Sequence, residues 1–291
     1  MCDELTEKDN EAYLKRQGIT RRNFGKLGAS AALATMIPPV ANAQDVTEHE
    51  VMIETPDGMA DAYFVHPSSG KHAAVMVWPD VLGIRPAFRA MGKRLAQSGY
   101  SVLVVNPYYR TNKGSVIEEG ESFGDPDVRA KLQPHRGSLS TQTAVSDGAA
   151  FVAYLDKQDA VDTSRKIGVT GYCMTGSYTM RIAAAVPDRI GAGGSFHGGG
   201  LVRDAADSPH LLIPKTKAGF LIAIAENDDE KDPEAKTTLR EAFDAANVEA
   251  EIEVYAGAMH GWCPLDSPVY NETQAERAWS RMLALFEKNL A

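Results

Sequence analysis

Residues 166–176, KIGVTGYCMTG, constrain the fold of this 291-residue chain more than any other stretch. The run Ile167-Gly168-Val169-Thr170 reads as a short buried strand, and residues 178–185 read as a helix. Between them a glycine-flanked turn carries one nucleophile, Cys173, at its tip. Strand, tight turn and helix in this order push a side chain out above a sheet edge, and the flanking residues must be small because strand and helix cross closely there. A helix N-terminus behind the thiol favours its anionic form. The competing expectation for a lone cysteine in such a string is a buried, inert residue. Ser177 and Ser195 are rival nucleophiles, but neither occupies the centre of the turn.

The remaining sequence alternates strand-like and helix-like segments. Residues 46–54 and 60–66 flank a Pro56-Asp57-Gly58 turn and read as an antiparallel hairpin. Residues 73–78 form a continuous apolar run, as expected of a strand buried on both faces. Helices are expected over 86–97, 125–132, 141–155, 233–246 and 272–290, and further strands over 100–105, 190–196, 219–225 and 251–255. The segment 108–137 is otherwise irregular and is expected to supply pocket walls. Such alternation gives an α/β fold: a mostly parallel, doubly wound sheet with helices on both faces. In these sheets the active site lies beyond the C-terminal ends of the strands. Asp80, Cys173, Asp228 and His260 all fall there.

Cys173, Asp228 and His260 follow one another in the nucleophile–acid–histidine order of the α/β-hydrolase fold. Cys173 is the candidate nucleophile, His260 the base and Asp228 the group that orients the imidazole. Asp229 competes with Asp228, which stands closer to the end of its strand. The backbone N–H groups of Val81 and Met174 are candidates for an oxyanion hole, each worth roughly 3 kcal/mol. His197-Gly198-Gly199-Gly200 lies after the nucleophile and reads as a strand-end turn, not as that hole.

With these residues in view, the chain from about 50 to 290 resembles the dienelactone hydrolase family, a cysteine branch of the α/β-hydrolase fold. The resemblance rests on Gly171-Tyr172-Cys173-Met174-Thr175-Gly176, Asp228, Ala258-Met259-His260-Gly261 and Pro79-Asp80-Val81-Leu82-Gly83-Ile84. It implies hydrolysis of a small-molecule ester or lactone through Cys173, His260 and Asp228. It also places Asp80 where the family carries a glutamate that modulates the thiol. Thr175 stands where the family has glycine, and Gly261-Trp262-Cys263-Pro264 lacks the arginine that binds a dienelactone carboxylate. Trp262, Tyr108 and Tyr109 are expected to wall an apolar pocket. Arg85, Arg110 and Arg136 are expected to be solvated.

Thr20-Arg21-Arg22-Asn23-Phe24-Gly25-Lys26, an apolar stretch over 27–37 and Ala41-Asn42-Ala43 read as a twin-arginine export signal with its cleavage site. Residues 1–43 are then a leader recognised through 20–26 by the export machinery. Residues 44–291 are then one periplasmic domain, without stable membrane association after cleavage. The whole chain carries a net charge of −9, and a leader with six basic and five acidic residues leaves −10. This acidic balance argues against nucleic acid and anionic membranes. With neither HExxH nor CxxC, no metal or other cofactor is suggested.

Outside the leader the cysteines are Cys173 and Cys263, and an oxidising compartment raises the expectation that they pair. Folding before export would instead keep Cys173 reduced. Three functions therefore stand open: an ester or lactone hydrolase, an acyltransferase or thioesterase on the same residues, or a binding protein with Cys173 held in a disulfide.

Overall fold

The computed structural model describes residues 4–16 and 38–291. Its elements in chain order are α1 (Glu4–Arg16), β1 (Val46–Thr55), β2 (Gly58–Pro67), β3 (Ala74–Trp78), α2 (Pro86–Gln97), β4 (Ser101–Val105), α3 (Pro126–Arg136) and α4 (Thr141–Leu155). There follow β5 (Ile167–Tyr172), α5 (Tyr178–Ala185), β6 (Ile190–Phe196), β7 (Gly219–Ala225), α6 (Glu226–Lys231), α7 (Ala235–Ala246), β8 (Ala250–Tyr255) and α8 (Glu272–Asn289). One eight-stranded sheet runs in the order β1-β2-β4-β3-β5-β6-β7-β8. The hairpin β1–β2 and the β2–β4 pair are antiparallel, and every other pair is parallel.

The apolar strands explain the layering. All five residues of β3 are buried, and their side chains alternate between faces. Ala74, Met76 and Trp78 join Phe151 of α4, Ile182 of α5 and Phe243 of α7. Val75 and Val77 join Phe88 and Leu95 of α2 and Met282 and Phe286 of α8 on the other face. This is the α/β-hydrolase architecture.

The expected elements form with small shifts at their ends. Two differences have physical causes. The acidic turn after β7 closes into the short helix α6, whose first N–H, that of Glu226, finds its partner in Ala258 O at 2.9 Å. The helix in the irregular segment extends to Arg136, started by Asp125, whose carboxylate caps Asp127 N–H behind Pro126. The helix α1 lies within the stretch read as a leader. The twin-arginine residues 20–26 and the apolar stretch 27–37 lie outside the described residues. No helix among the described residues is long and apolar enough to cross a membrane.

Candidate active site

Parallel pairing puts the ends of β3 and β5 side by side, with Trp78 opposite Gly171. Beyond β5, Cys173–Thr175 form one tight 3-10 turn before α5. Cys173 adopts φ +56°, a left-handed conformation that costs a non-glycine residue of order 1 kcal/mol or more. Such strain persists only where the surroundings enforce it. A Cβ at Gly171 would lie 2.2 Å from Thr175 O, and one at Gly176 would lie 2.5 Å from the Gly198 Cα. The two glycines are therefore what lets the turn close.

Thr175 adds a clamp. Its buried hydroxyl accepts the Tyr172 N–H at 2.9 Å and lies 2.9–3.0 Å from the carbonyl oxygens of Trp78, Pro79 and Tyr172, to one of which it donates. The side chain in the family's glycine position thus ties the elbow to the end of β3. Thr175→Val is expected to cost about 1–3 kcal/mol, because it strands buried polar groups while keeping the volume. Urea denaturation measures this.

The candidate acid and base come from the ends of β7 and β8. Asp228 Oδ2 lies 2.6 Å from His260 Nδ1, with the two side chains 17% and 3% exposed. Asn227 Oδ1 accepts the His260 backbone N–H at 2.8 Å and so fixes the loop that carries the imidazole. The competing Asp229 is held by Lys236 Nζ at 2.6 and 2.7 Å.

His197 follows β6 with φ +40° and is 1% exposed. Its ring packs 5.0 Å from that of His260 and 5.2 Å from that of Trp262, and among the described residues neither ring nitrogen has a hydrogen-bond partner. Burial, followed by the neighbouring His260, pushes its pKa well below the usual value. The folded state therefore binds fewer protons than the unfolded chain below about pH 6.5, so stability is lost as pH falls through that value. Denaturation midpoints at pH 7.5 and 5.5 are expected to differ by roughly 1 kcal/mol from this residue, and His197→Phe should remove that part of the slope.

Cys173, His260, His197, Val81 and Asp80 line one open cleft. Val81 and Met174 each lie three residues past a paired strand position, Trp78 and Gly171. Tyr108 braces both, because its hydroxyl donates to Val81 O at 2.8 Å and reaches Met174 Sδ at 3.7 Å. Asp80 accepts the Leu82 N–H at 2.9 Å and receives Arg85 at 2.7 and 3.0 Å. Arg85 also grips Asp266 at 2.6 and 3.0 Å. The charge of Asp80, the candidate thiol modulator, is thus balanced by a buried guanidinium.

Several sequence expectations need correction. Arg85 is 3% exposed, not solvated, and Arg110 is paired with Asp57 and Asp147. Tyr108, Tyr109 and Trp262 do not line the cleft. Tyr108 serves as the brace, Tyr109 bonds Thr55 and Asp147 on the α4 side, and Trp262 stacks on Tyr255 in the core. The irregular segment 108–137 does supply Glu121, Ser122 and Phe123. Cys173 is disulfide-bonded, and Cys263 is not its partner but a free buried thiol, which burial holds in the protonated form. Among the described residues no group of three His, Cys, Asp or Glu is placed to hold a metal ion.

Three features were not anticipated from sequence: His197, the Asp80–Arg85–Asp266 cluster and α1 at the cleft. Position in a strand-end turn was the one signal for His197. Asp266 is 181 residues from Arg85, so no local spacing announces their pairing.

A sequence profile of the dienelactone hydrolase family matches residues 60–290. The carboxymethylenebutenolidase of Rhodococcus opacus is 26% identical over 232 residues, covering 78% of this chain and 86% of that protein. The crystal structure of a Klebsiella pneumoniae subsp. pneumoniae MGH 78578 protein superposes with TM-score 0.72 at 23% identity, covering 84% of this chain and all of that one. That of a dienelactone hydrolase-like promiscuous phosphotriesterase from metagenomic libraries gives 0.68 at 20% identity, covering 84% and 99%. The profile match spans β3 to β8, most of β2 and every candidate site residue, so the chain belongs to the dienelactone hydrolase family and is a hydrolase of lactone or ester bonds.

Proposed function

We propose that the reaction runs through a thioester at Cys173, with His260 as proton carrier and Asp228 as its orienting acid. The observation that carries this reading is the 2.6 Å Asp228–His260 bond, aimed from two strand ends into the cleft that also holds the strained Cys173. The thiolate sulfur attacks the carbonyl carbon of the ester. The N–H groups of Val81 and Met174 receive the developing oxyanion, and Tyr108 holds the Val81 carbonyl and touches the Met174 side chain beside them. Imidazolium returns its proton to the leaving alkoxide, which in a lactone stays attached to the acyl chain. His260 then deprotonates a water, and attack of that water on the thioester frees the acid and regenerates the thiol.

The same reading assigns residues 1–43 to a twin-arginine leader and residues 44–291 to the catalytic domain, acting in the periplasm. Its support is the order of arginine pair, apolar stretch and small residues in the sequence. N-terminal sequencing of periplasmic protein should begin at Gln44, and an uncleaved cytoplasmic protein would overturn this part.

The test of the chemistry is hydrolysis of a small activated ester and of a dienelactone by the fully reduced chain. Turnover that disappears in Cys173→Ala is expected. Equal turnover in both proteins would discard the thiol mechanism.

A further inference from the structure

The cleft around Cys173 is walled by acids. Asp80, Asp266 and Glu121 line it, and the docked helix α1 adds Glu7 beside Asn10. Arg85 is the one Lys or Arg among the described residues that line it. That guanidinium is fully engaged. Its Nε donates to Asp266 Oδ2, its Nη1 to Asp80 Oδ1 and Gly83 O, and its Nη2 to Asp80 Oδ2 and Asp266 Oδ1, which uses all five N–H groups. Two carboxylates on one guanidinium leave the cluster net negative, with no donor turned to a ligand.

The nearby bases face elsewhere. Arg129 Nη1 donates to the carbonyl oxygens of Phe123 and Gly124, and Lys131 pairs with Glu121 at 3.0 Å. The Arg136 guanidinium lies over the Phe123 ring, 5.8 Å from its centre. None of these three lines the cleft. His197 does, but burial, followed by the neighbouring His260, keeps its ring neutral. The rest of the wall includes the apolar side chains of Val81, Leu82, Phe123 and Pro268.

A carboxylate that enters this cleft exchanges its water for other carboxylates and apolar carbon. Taking an anion out of water without a counter-charge or donors is strongly unfavourable. An uncharged chain loses far less and gains the apolar contacts. We infer that the cleft selects esters and lactones with an uncharged acyl group and turns away those that carry a carboxylate near the scissile bond. The inference rests on the reading of Cys173 as the reacting group and adds the substrate class to it. Discrimination by a repulsive wall is specificity against the wrong ligand, with no added grip on the right one. Glu121 is the member of that wall that stands outside the Asp80–Arg85–Asp266 cluster, so its charge can be removed without stranding Arg85.

Two readouts on the fully reduced full-length chain test this. The first compares two para-nitrophenyl esters of one chain length, one ending in a carboxylate and the other in a methyl ketone, each rate divided by its rate with hydroxide. kcat/KM for the uncharged ester is expected to be about 10- to 100-fold higher. In Glu121→Gln, which removes one carboxylate and releases Lys131, that gap should narrow about three- to tenfold. The second readout needs no hydrolysis. The Cys173 thiolate displaces iodide from iodoacetamide or from iodoacetate, and mass spectrometry of the Cys173 peptide times each reaction. The ratio of the two rates is expected to exceed the ratio at the cysteine of a short unstructured peptide by about fivefold or more. A ratio no greater than the peptide's, or a carboxylate ester hydrolysed as fast as the uncharged one, would overturn the inference, as would a gap that Glu121→Gln leaves unchanged. If neither ester is turned over while the alkylation ratio is raised, the charge selection stands and the hydrolytic role of Cys173 is what fails.

Discussion

Asp228→Asn is expected to lower kcat of the reduced enzyme by about 10³- to 10⁴-fold while leaving KM and stability nearly unchanged. The side chain is isosteric, and the loop around His260 is held independently by the Asn227–His260 backbone bond. What changes is the group facing Nδ1 across 2.6 Å. In the proposed mechanism a carboxylate accepts the Nδ1–H and stabilises the imidazolium formed during attack and collapse. An amide can present its NH₂ instead, which favours the tautomer with the proton on the nitrogen that must accept one. The effect therefore falls on a step made in the transition state and not on binding. Asp229→Asn, by contrast, releases only Lys236 and should change kcat less than about threefold. A large loss in Asp229→Asn with little in Asp228→Asn would exchange the two roles.

Gly171→Ala is expected to be the most destabilising single-methyl change in the elbow. The added carbon would lie 2.2 Å from Thr175 O and 2.7 Å from Thr175 C, both backbone atoms that cannot rotate away. Relief requires opening the turn, which breaks the Thr175 clamp to β3 and frees Cys173 from its left-handed conformation. A cost of about 3 kcal/mol is expected, at the upper end for overpacking, which lowers Tm by roughly 6–12 °C. Gly120→Ala is the control. Its φ of +85° carries a conformational penalty of about 1 kcal/mol, but nothing lies within 4 Å of the new carbon. Similar shifts for both variants in thermal unfolding would show that steric closure at the elbow is not what holds it.

The sheet, its helices and the chain order of Cys173, Asp228 and His260 were legible because each rests on local pattern. Continuous apolar runs mark β3 and β4, helical spacing marks α2 and α4, and small residues mark the elbow. The placement of Val81 and Met174, each three residues past a paired strand position, was legible because each follows a strand recognisable from its apolar run. What was not legible depends on distant pairs. Arg85 looks like a surface cation until Asp266, 181 residues further on, closes on it beside Asp80. Tyr108 looks like a pocket wall, yet its hydroxyl is used to brace Val81. Trp262 lies two residues past His260, but the turn between them sends it into the core against Tyr255. Cys263 was the natural partner for Cys173 because it lies three residues past His260, whereas the fold buries it on the α8 face.

The most direct test of the thioester reading is a rapid acid quench of the reduced enzyme during turnover of an activated ester. The Cys173 peptide is then weighed by mass spectrometry. The acyl group of the substrate is expected on Cys173, removable by hydroxylamine and absent from Cys173→Ala, which should not turn over. Steady turnover with Cys173 never acylated, and with Cys173→Ala equally active, would contradict the mechanism and leave the thiol a structural residue in a hydrolase that works by another route.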